Sequence, residues 1–308
     1  MYDLVIIGGG PAGVGAGVYA ARKKIKTLLI TEDFGGQSMF SPDISNWIGN
    51  KSLTGLELAK MLEDHLNNYK DDIDIWKGDL VAKVAKKGKG FSISTKKGKK
   101  VEARTILICS GSRRRRLGVP GEDELDGKGL AWCATCDAPM FKDKVVAIIG
   151  GGNAGLEAAL TLDAYASKLY LLQRRGELKG DAVTQEKIKS LKKLTIIYNA
   201  LTQEILGDKF VSGLRYKDAK TGKEEALELQ GVFVEIGSVP NVDFIKDLVD
   251  LDDWNEIIVD HKTQQSSQKG VWAAGDVSDV LYKQNNVSVG DAIKAVLNIF
   301  DYLHKNNA

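Results

Sequence analysis

The chain has 308 residues, of which 43% are apolar, with 33 glycines, 5 prolines and 3 cysteines. That length allows two domains with a full buried core, and the excess of glycine over proline suits an α/β protein with tight strand-to-helix turns, not a disordered chain. A formal charge of +2 gives no ground for a polyanionic partner, nucleic acid included.

The first element is the short apolar β run "YDLVII", followed by Gly8, Gly10 and Gly13 in G-x-G-x-x-G spacing with Pro11 and Ala12 between them, then the small-residue helix "VGAGVYAARK". Glycines so placed let the backbone turn tightly and approach a pyrophosphate, whose charge rests on the helix N-terminus. The strand "IKTLLI" comes next, and Glu32 stands nineteen residues past Gly13, near the place of a ribose-binding acid. An ordinary glycine-rich βα turn is the plainer reading of the loop. The uncharged run from Leu4 to Ala21 has the length of a membrane span, but its glycines and Pro11 break a membrane helix, and Asp3 stands where a signal peptide carries positive charge. A soluble, cytoplasmic protein with no membrane partner is expected.

Residues 73 to 109 alternate apolar and polar side chains around the turn "KKGKK", which predicts a β meander laid on the first domain. In "LAWCATCDAPMF", Cys133 and Cys136 stand two residues apart and Asp137 follows. Two thiols at that spacing are half a zinc site, a staple or a redox couple. Zinc needs four ligands. The only other thiol is Cys109, and His65, His261 and His304 stand far apart, so no metal site is expected. A chain of this size needs no staple, which leaves the redox couple leading.

The grammar of the first loop recurs 142 residues later. "KVVAIIGGGNAG" carries Gly150, Gly152 and Gly155 with Asn153 and Ala154 between, then the helix "LEAALTLDAYA" and the strand "KLYLLQ". Two fingerprints imply two dinucleotides. After the second strand comes "RRGELKGD", with Arg174, Arg175 and Lys179 where an acid otherwise sits; basic residues there suit a 2′-phosphate, hence NADPH over NADH, although a solvated charged turn has the same composition. Near the C-terminus, "GVWAAGDVSDV" sets an apolar strand before Gly275 and Asp276, whose carboxylate can hold a ribitol or ribose hydroxyl, and the following segment has amphipathic helical spacing.

The "GGGPAG" start, "GGQ" at Gly35, Gly36 and Gln37, "NWIG" at Asn46, "LGVPGE" at Leu117, "CATCD", "GGGNAG" and "AAGDV" occur in one order over nearly the whole chain. Together they resemble the small bacterial-type thioredoxin reductases. The resemblance implies an α/β fold of two Rossmann-like dinucleotide-binding domains, with three-layer parallel sheets and β-meander crossovers. The FAD-binding domain would be discontinuous, residues 1–112 and 240–308, and residues 113–239 would be an inserted NADPH-binding domain carrying the CATC pair. It implies FAD held by the first loop, Gly35 to Gln37, Asn46, Gly275, Asp276, Lys283 and Gln284, and NADPH held by the second loop with Arg174, Arg175 and Lys179. Electrons would pass from NADPH through FAD to the disulfide, with Cys136 facing the flavin, Cys133 exchanging with thioredoxin or a thioredoxin-like protein, and Asp137 serving as acid and base or as a helix-start cap. A homodimer is implied as well.

The family pattern carries His where this chain has Gln173 and Arg where it has Lys179, and its flavin-tail segment differs from "KQNNVSVGD". "VFVEIGSVPN" and "YKQ" at Tyr282 look more like the flavoprotein subunit of alkyl hydroperoxide reductase, a relative that usually prefers NADH and feeds a peroxiredoxin system. A ferredoxin–NADP reductase-like flavoenzyme is a further alternative, one that has no need of the CATC pair. The run Arg113 to Arg116 falls where the first domain crossing is expected and reads as a solvated hinge face with no catalytic role.

Overall fold

Strand β1 (Tyr2–Ile7) is apolar on both sides, and such a strand is stable only where both faces of its sheet are covered. In the computed structural model, which describes residues 1–41 and 44–305, both faces are covered. The chain continues through α1 (Pro11–Arg22), β2 (Thr27–Thr31), α2 (Gly55–Asn67), β3 (Ile73–Lys77) and an antiparallel meander, β4 (Val81–Lys87), β5 (Gly90–Thr95) and β6 (Lys100–Ile108). Leu4 and Ile6 pack into one core with Val14, Val18 and Leu58 from the helices. Val5 and Ile7 point to the opposite core, with Val84, Phe91 and Ile93 of the meander. The period of 2 in the strand thus sorts its residues between a helical layer and a β layer. Helix α2 starts at a capping box, in which the Glu57 N–H donates to Thr54 Oγ1 at 3.2 Å and the Thr54 N–H donates back to the Glu57 carboxylate at 2.7 Å.

After β7 (Ser112–Arg114) come β8 (Leu130–Ala131) and the single helical turn α3 (Ala134–Asp137), then β9 (Val145–Ile149), α4 (Asn153–Asp163), β10 (Lys168–Gln173), α5 (Ala182–Lys189) and β11 (Leu194–Tyr198). An antiparallel three-stranded sheet, β12 (Ala200–Gly207), β13 (Val211–Asp218) and β14 (Glu224–Glu228), leads to β15 (Gly231–Val234). Five strands form a parallel sheet in the order β11-β10-β9-β15-β8. Its central strand repeats the sorting seen in β1: Val146 and Ile148 face Leu156, Ala159 and Leu162 of α4, while Ala147 and Ile149 face Ile205, Leu214 and Tyr216 of the antiparallel layer.

The chain then returns through β16 (Ser238–Pro240), β17 (Val259–Asp260), β18 (Gln265–Ser266) and β19 (Val271–Ala273) to the long helix α6 (Asn285–Lys305). β19 joins the first sheet beside β6, giving the order β17-β18-β19-β6-β1-β2-β3, with the five strands from β19 to β3 parallel. Trp272 of β19 is fully buried under α6 and its indole N–H donates to Asn298 Oδ1 at 3.0 Å. The chain therefore forms two compact units, Met1–Arg113 with Val239–Ala308, and Arg114–Ser238. Each is an α/β three-layer unit with a parallel sheet between helices and an antiparallel meander. No helix among the described residues is long and apolar enough to cross a membrane.

The two glycine turns share one close contact. A Cβ on Gly13 would lie 1.9 Å from the carbonyl oxygen of Gly8, and one on Gly155 would lie 1.8 Å from that of Gly150. In each case the first helical turn rests directly on the strand end, backbone against backbone, with no flexible side chain to yield. Gly155→Ala should therefore destabilise the inserted unit by about 3 kcal/mol, the upper range for overpacking. Urea unfolding followed by circular dichroism measures the loss, and Gly152→Ala, which would meet nothing within 4 Å, is the control.

Candidate functional site

The unit built from the two ends of the chain contains a cavity of about 710 Å³, at the C-terminal ends of β1, β2 and β6. Ligands of open α/β sheets bind at that edge, because the helix N-termini and the free strand-end amides converge there. Of the residues expected to hold FAD, Gly8, Gly10, Pro11, Ala12, Gly35, Gly36, Gln37, Gly275 and Asp276 line this cavity. Gly13 lies beneath the lining, packed on Gly8. A Cβ added to Gly10 would approach only Gly36 Cα, at 3.9 Å, so the two loops leave an open backbone trough between them. Glu32 also lines the cavity, at the end of β2. A trough of bare backbone with carboxylates at its rim fits the pyrophosphate and polyol of a dinucleotide.

Several lining residues carry no sequence signal. Ser110 Oγ donates to the Asn241 carbonyl at 2.8 Å, Asn241 Nδ2 donates back to the Ser110 carbonyl at 2.9 Å, and Arg113 Nη1 donates to Asn241 Oδ1 at 3.0 Å. Gln37 Nε2 reaches Ser112 Oγ at 3.2 Å, and Ser38 Oγ reaches Asn285 Oδ1 at 3.0 Å. These bonds join segments far apart in sequence, so a motif scan along the chain does not find them. Asn46, Lys283 and Gln284 lie outside the lining. Asn46 Nδ2 donates to Gln284 Oε1 at 3.2 Å, and Lys283 pairs with Glu256 at 2.9 Å while donating to the Ser278 carbonyl. Cys109 is buried at the cavity floor, and burial pushes its thiol far above the usual range, so it is not a nucleophile.

In the inserted unit the second glycine loop connects β9 to α4. Gly150 and Gly152 form its turn, Asn153, Ala154 and Gly155 begin α4, and Asn153 Oδ1 accepts the Asp181 N–H at 2.7 Å. Gln173, at the end of β10, is buried and donates to the Glu177 carbonyl at 2.8 Å. It stiffens the following loop from within. Arg174 and Arg175 are exposed on that loop. Lys179 pairs with Glu177 at 2.5 Å, an ion pair that holds the Glu177 carboxyl below its ordinary value and offsets the lysine charge. Arg175 also acts on Glu177, but more weakly than Lys179 does, so the two exposed arginines carry most of the positive charge on this loop.

Cys133 and Cys136 are joined as a disulfide, with Cα atoms 5.3 Å apart, across the turn α3. Cys133 occupies the cap position in extended backbone, and its carbonyl accepts the N–H groups of Cys136 and Asp137. Asp137 ends this turn and precedes the 3-10 turn Ala138–Phe141. Two charged neighbours were not legible from the sequence. Glu235, just past β15, accepts the Ala134 N–H at Oε1, 3.3 Å away. Burial raises its carboxyl to about 8; the Ala134 N–H and Arg114 oppose the rise, and Asp137 and Glu157 reinforce it. Arg114 is itself pulled below the ordinary arginine value by burial, against the attraction of Asp137, Asp126 and Glu235. No group of three or more His, Cys, Asp or Glu among the described residues can hold a metal ion.

The arginine run is partly fixed. The Arg114 and Arg116 guanidinium groups lie 5.7 Å and 4.8 Å from the ring centre of Trp132, the residue before Cys133. Arg116 also pairs with Asp126 at 3.0 Å, and the Trp132 indole donates to the same carboxylate at 2.8 Å.

Two dinucleotide turns and a Cys-x-x-Cys disulfide together define a pyridine-nucleotide-linked disulfide oxidoreductase class. The sequence profile described as "Pyridine nucleotide-disulphide oxidoreductase" matches residues 2–295, and the chain belongs to that family. It is 42% identical over 305 residues to a Bacillus subtilis (strain 168) protein named NADH dehydrogenase, covering 99% of this chain and 59% of that protein. It is 43% identical over 309 residues to the F subunit of alkyl hydroperoxide reductase from Pseudomonas putida, covering 100% of this chain and 59% of the other. The chain thus spans about three fifths of the length of these curated relatives. Among solved structures, thioredoxin reductase from Streptococcus pyogenes MGAS5005 is 32% identical with a TM-score of 0.90, covering 99% of each chain.

The stacked arginine should govern the environment of Trp132. Arg116→Ala removes a guanidinium face and one partner of Asp126, a contact of about 0.5–1 kcal/mol at an exposed site. Trp132 fluorescence, isolated by difference against Trp132→Phe, should become more accessible to acrylamide quenching, whereas Arg115→Ala should leave it unchanged.

Proposed function

We propose that this protein is a flavoprotein disulfide oxidoreductase that carries electrons from NADPH, through FAD, to the Cys133–Cys136 disulfide and on to thioredoxin or a thioredoxin-like protein. The observation that carries the reading is the disulfide itself, formed across α3 in the same unit as the second glycine loop. In this reading residues 1–112 and 240–308 form the FAD-binding domain and residues 113–239 the NADPH-binding domain. FAD, when bound, supplies a two-electron relay between the nicotinamide and the disulfide.

The residues of the chain then divide the work. The trough of Gly8 to Gly13 receives the pyrophosphate, and Asp276 and Glu32 offer carboxylates to hydroxyl groups. Two electrons open the Cys133–Cys136 bond and leave two sulfurs, with Cys136 on the flavin side. Asp137 gives up or takes the accompanying proton. The Cys133 thiolate attacks one sulfur of the partner's disulfide and expels the other as a thiolate. Cys136 then attacks Cys133, re-forming the ring and releasing the partner as a dithiol.

The match to the alkyl hydroperoxide reductase flavoprotein supports a second reading, an NADH-preferring reductase of a peroxiredoxin system. The two readings differ at Arg174 and Arg175. A homodimer and a cytoplasmic setting belong to the first reading. The segments around Asn46 and Gln284 adjoin and expose Ile48, Leu281 and Tyr282, the apolar character expected of a subunit contact.

Cys133→Ser and Cys136→Ser should each abolish reduction of a protein disulfide and spare NADPH-dependent reduction of an artificial electron acceptor such as ferricyanide, since that path needs no thiol. Loss of both activities in either variant would assign the cysteines to folding. The double change Arg174→Ala with Arg175→Ala should raise KM for NADPH and leave KM for NADH almost unmoved, because each charged hydrogen bond to a 2′-phosphate is worth about 1.5–3 kcal/mol. Lys179→Ala should have the smaller effect, since Glu177 already offsets its charge. Parallel steady-state assays with the two nucleotides decide, and equal use of both by the unaltered protein favours the peroxiredoxin-linked reading.

A further inference from the structure

Glu235 accepts a hydrogen bond from within the Cys-x-x-Cys turn, and nothing in the electron path above requires it. Its backbone is fixed by the second glycine loop: a Cβ on Gly150 would lie 2.2 Å from the Glu235 carbonyl oxygen, so strand end and loop are in direct contact. From there its carboxyl reaches the N–H of Ala134, the residue that directly follows Cys133. The charged groups that act on it are Arg114 from β7, Asp137 from α3 and Glu157 from α4, two acids against one base. Arg114 is shared with Asp137 and Asp126.

We propose that Glu235 is a proton-holding and positioning residue of the Cys133–Cys136 site, taking up a proton when that disulfide is reduced. The inference rests on the disulfide being redox-active, as proposed above. Reduction by an external dithiol breaks the Cys133–Cys136 S–S bond with two electrons, and the dithiol is oxidised to its own disulfide. The two cysteine sulfurs are released as thiolates that take protons according to the pH. A thiolate at Cys133, the residue before the Ala134 N–H that Glu235 accepts, is a new negative charge in the neighbourhood of an acid on which Asp137 and Glu157 already act. The neutral form of Glu235 is therefore favoured more strongly in the reduced protein than in the oxidised one.

The sign follows from that order. Well below its midpoint of about 8, Glu235 holds its proton in both redox states and has no effect on the equilibrium. Above it the oxidised protein loses the proton and the reduced protein keeps it, so reduction requires one proton more and becomes harder as pH rises. Glu235→Gln keeps the acceptor oxygen for the Ala134 N–H and removes the proton step.

The test is a redox titration of the whole protein in dithiothreitol buffers from mildly acidic to alkaline pH, with the Cys133–Cys136 thiols trapped by alkylation and counted by mass. At mildly acidic and neutral pH, well below the Glu235 midpoint of about 8, wild type and Glu235→Gln should run parallel. Above it the equilibrium constant of wild type should fall more steeply, by about tenfold per pH unit, or about 30 mV in a two-electron couple. Glu235→Asp, which retains a titrating acid, should restore the steeper limb. Independently of any variant, infrared difference spectra of wild type reduced at a pH above 8 should show the gain of a protonated carboxyl C=O stretch. Parallel curves over the whole range, or no such band, would overturn the assignment. A Cys133–Cys136 pair that does not equilibrate with dithiothreitol at any pH would instead overturn the redox reading on which it rests.

Discussion

The contact on which the rest depends is that of a helix start against the end of its own strand. At Gly13 on Gly8, and again at Gly155 on Gly150, the two backbones meet at a distance no side chain tolerates. This closeness turns the first helical amides toward the strand ends, where an anion can receive them without a single charged side chain. The burial of β1 and β9 follows from it. A helix held that tightly covers one face of the sheet, and the meander must cover the other, which is why both strands are apolar on every residue of their inner half.

Much of this was legible in the sequence because it is local. The glycine spacing, the apolar strand before each loop and the small-residue helix after it lie within about thirty residues, the span of one βαβ unit. The α/β class and the parallel sheets follow from those units. Of the run from residue 73 to 109, the meander was legible where it exists, at β4 to β6, because a strand buried on one side such as β5 shows its period directly. At the start of the run β3 is a parallel strand beside β2, and at its end β6 also belongs to the parallel sheet.

What was not legible is non-local. The Ala134–Glu235 bond spans 101 residues and the Ser110–Asn241 pair spans 131. Glu235 reads in the sequence as one polar residue after an apolar strand, and Ser110 and Asn241 read as loop composition. Lys283 shows the converse: its charge is met by Glu256, a partner that no spacing rule selects. The arginine run reads as a uniform block of charge, yet Arg114 and Arg116 lie over Trp132 while Arg115 offers its N–H to the Gly237 carbonyl. Alternation along the backbone separates their fates, a distinction of geometry that composition hides.

The burial of Cys109 has a consequence for how the ring at residues 133–136 forms. Three thiols admit three pairings, and two of them involve Cys109. Cys109 ends the strand beside β1, in a core that closes as the first unit folds, and burial keeps its sulfur protonated. Once that core exists the mispaired bridges are closed off on two counts, access and reactivity, and oxidation has one product. In the folded protein, access and reactivity thus both point oxidation to the one ring at Cys133 and Cys136.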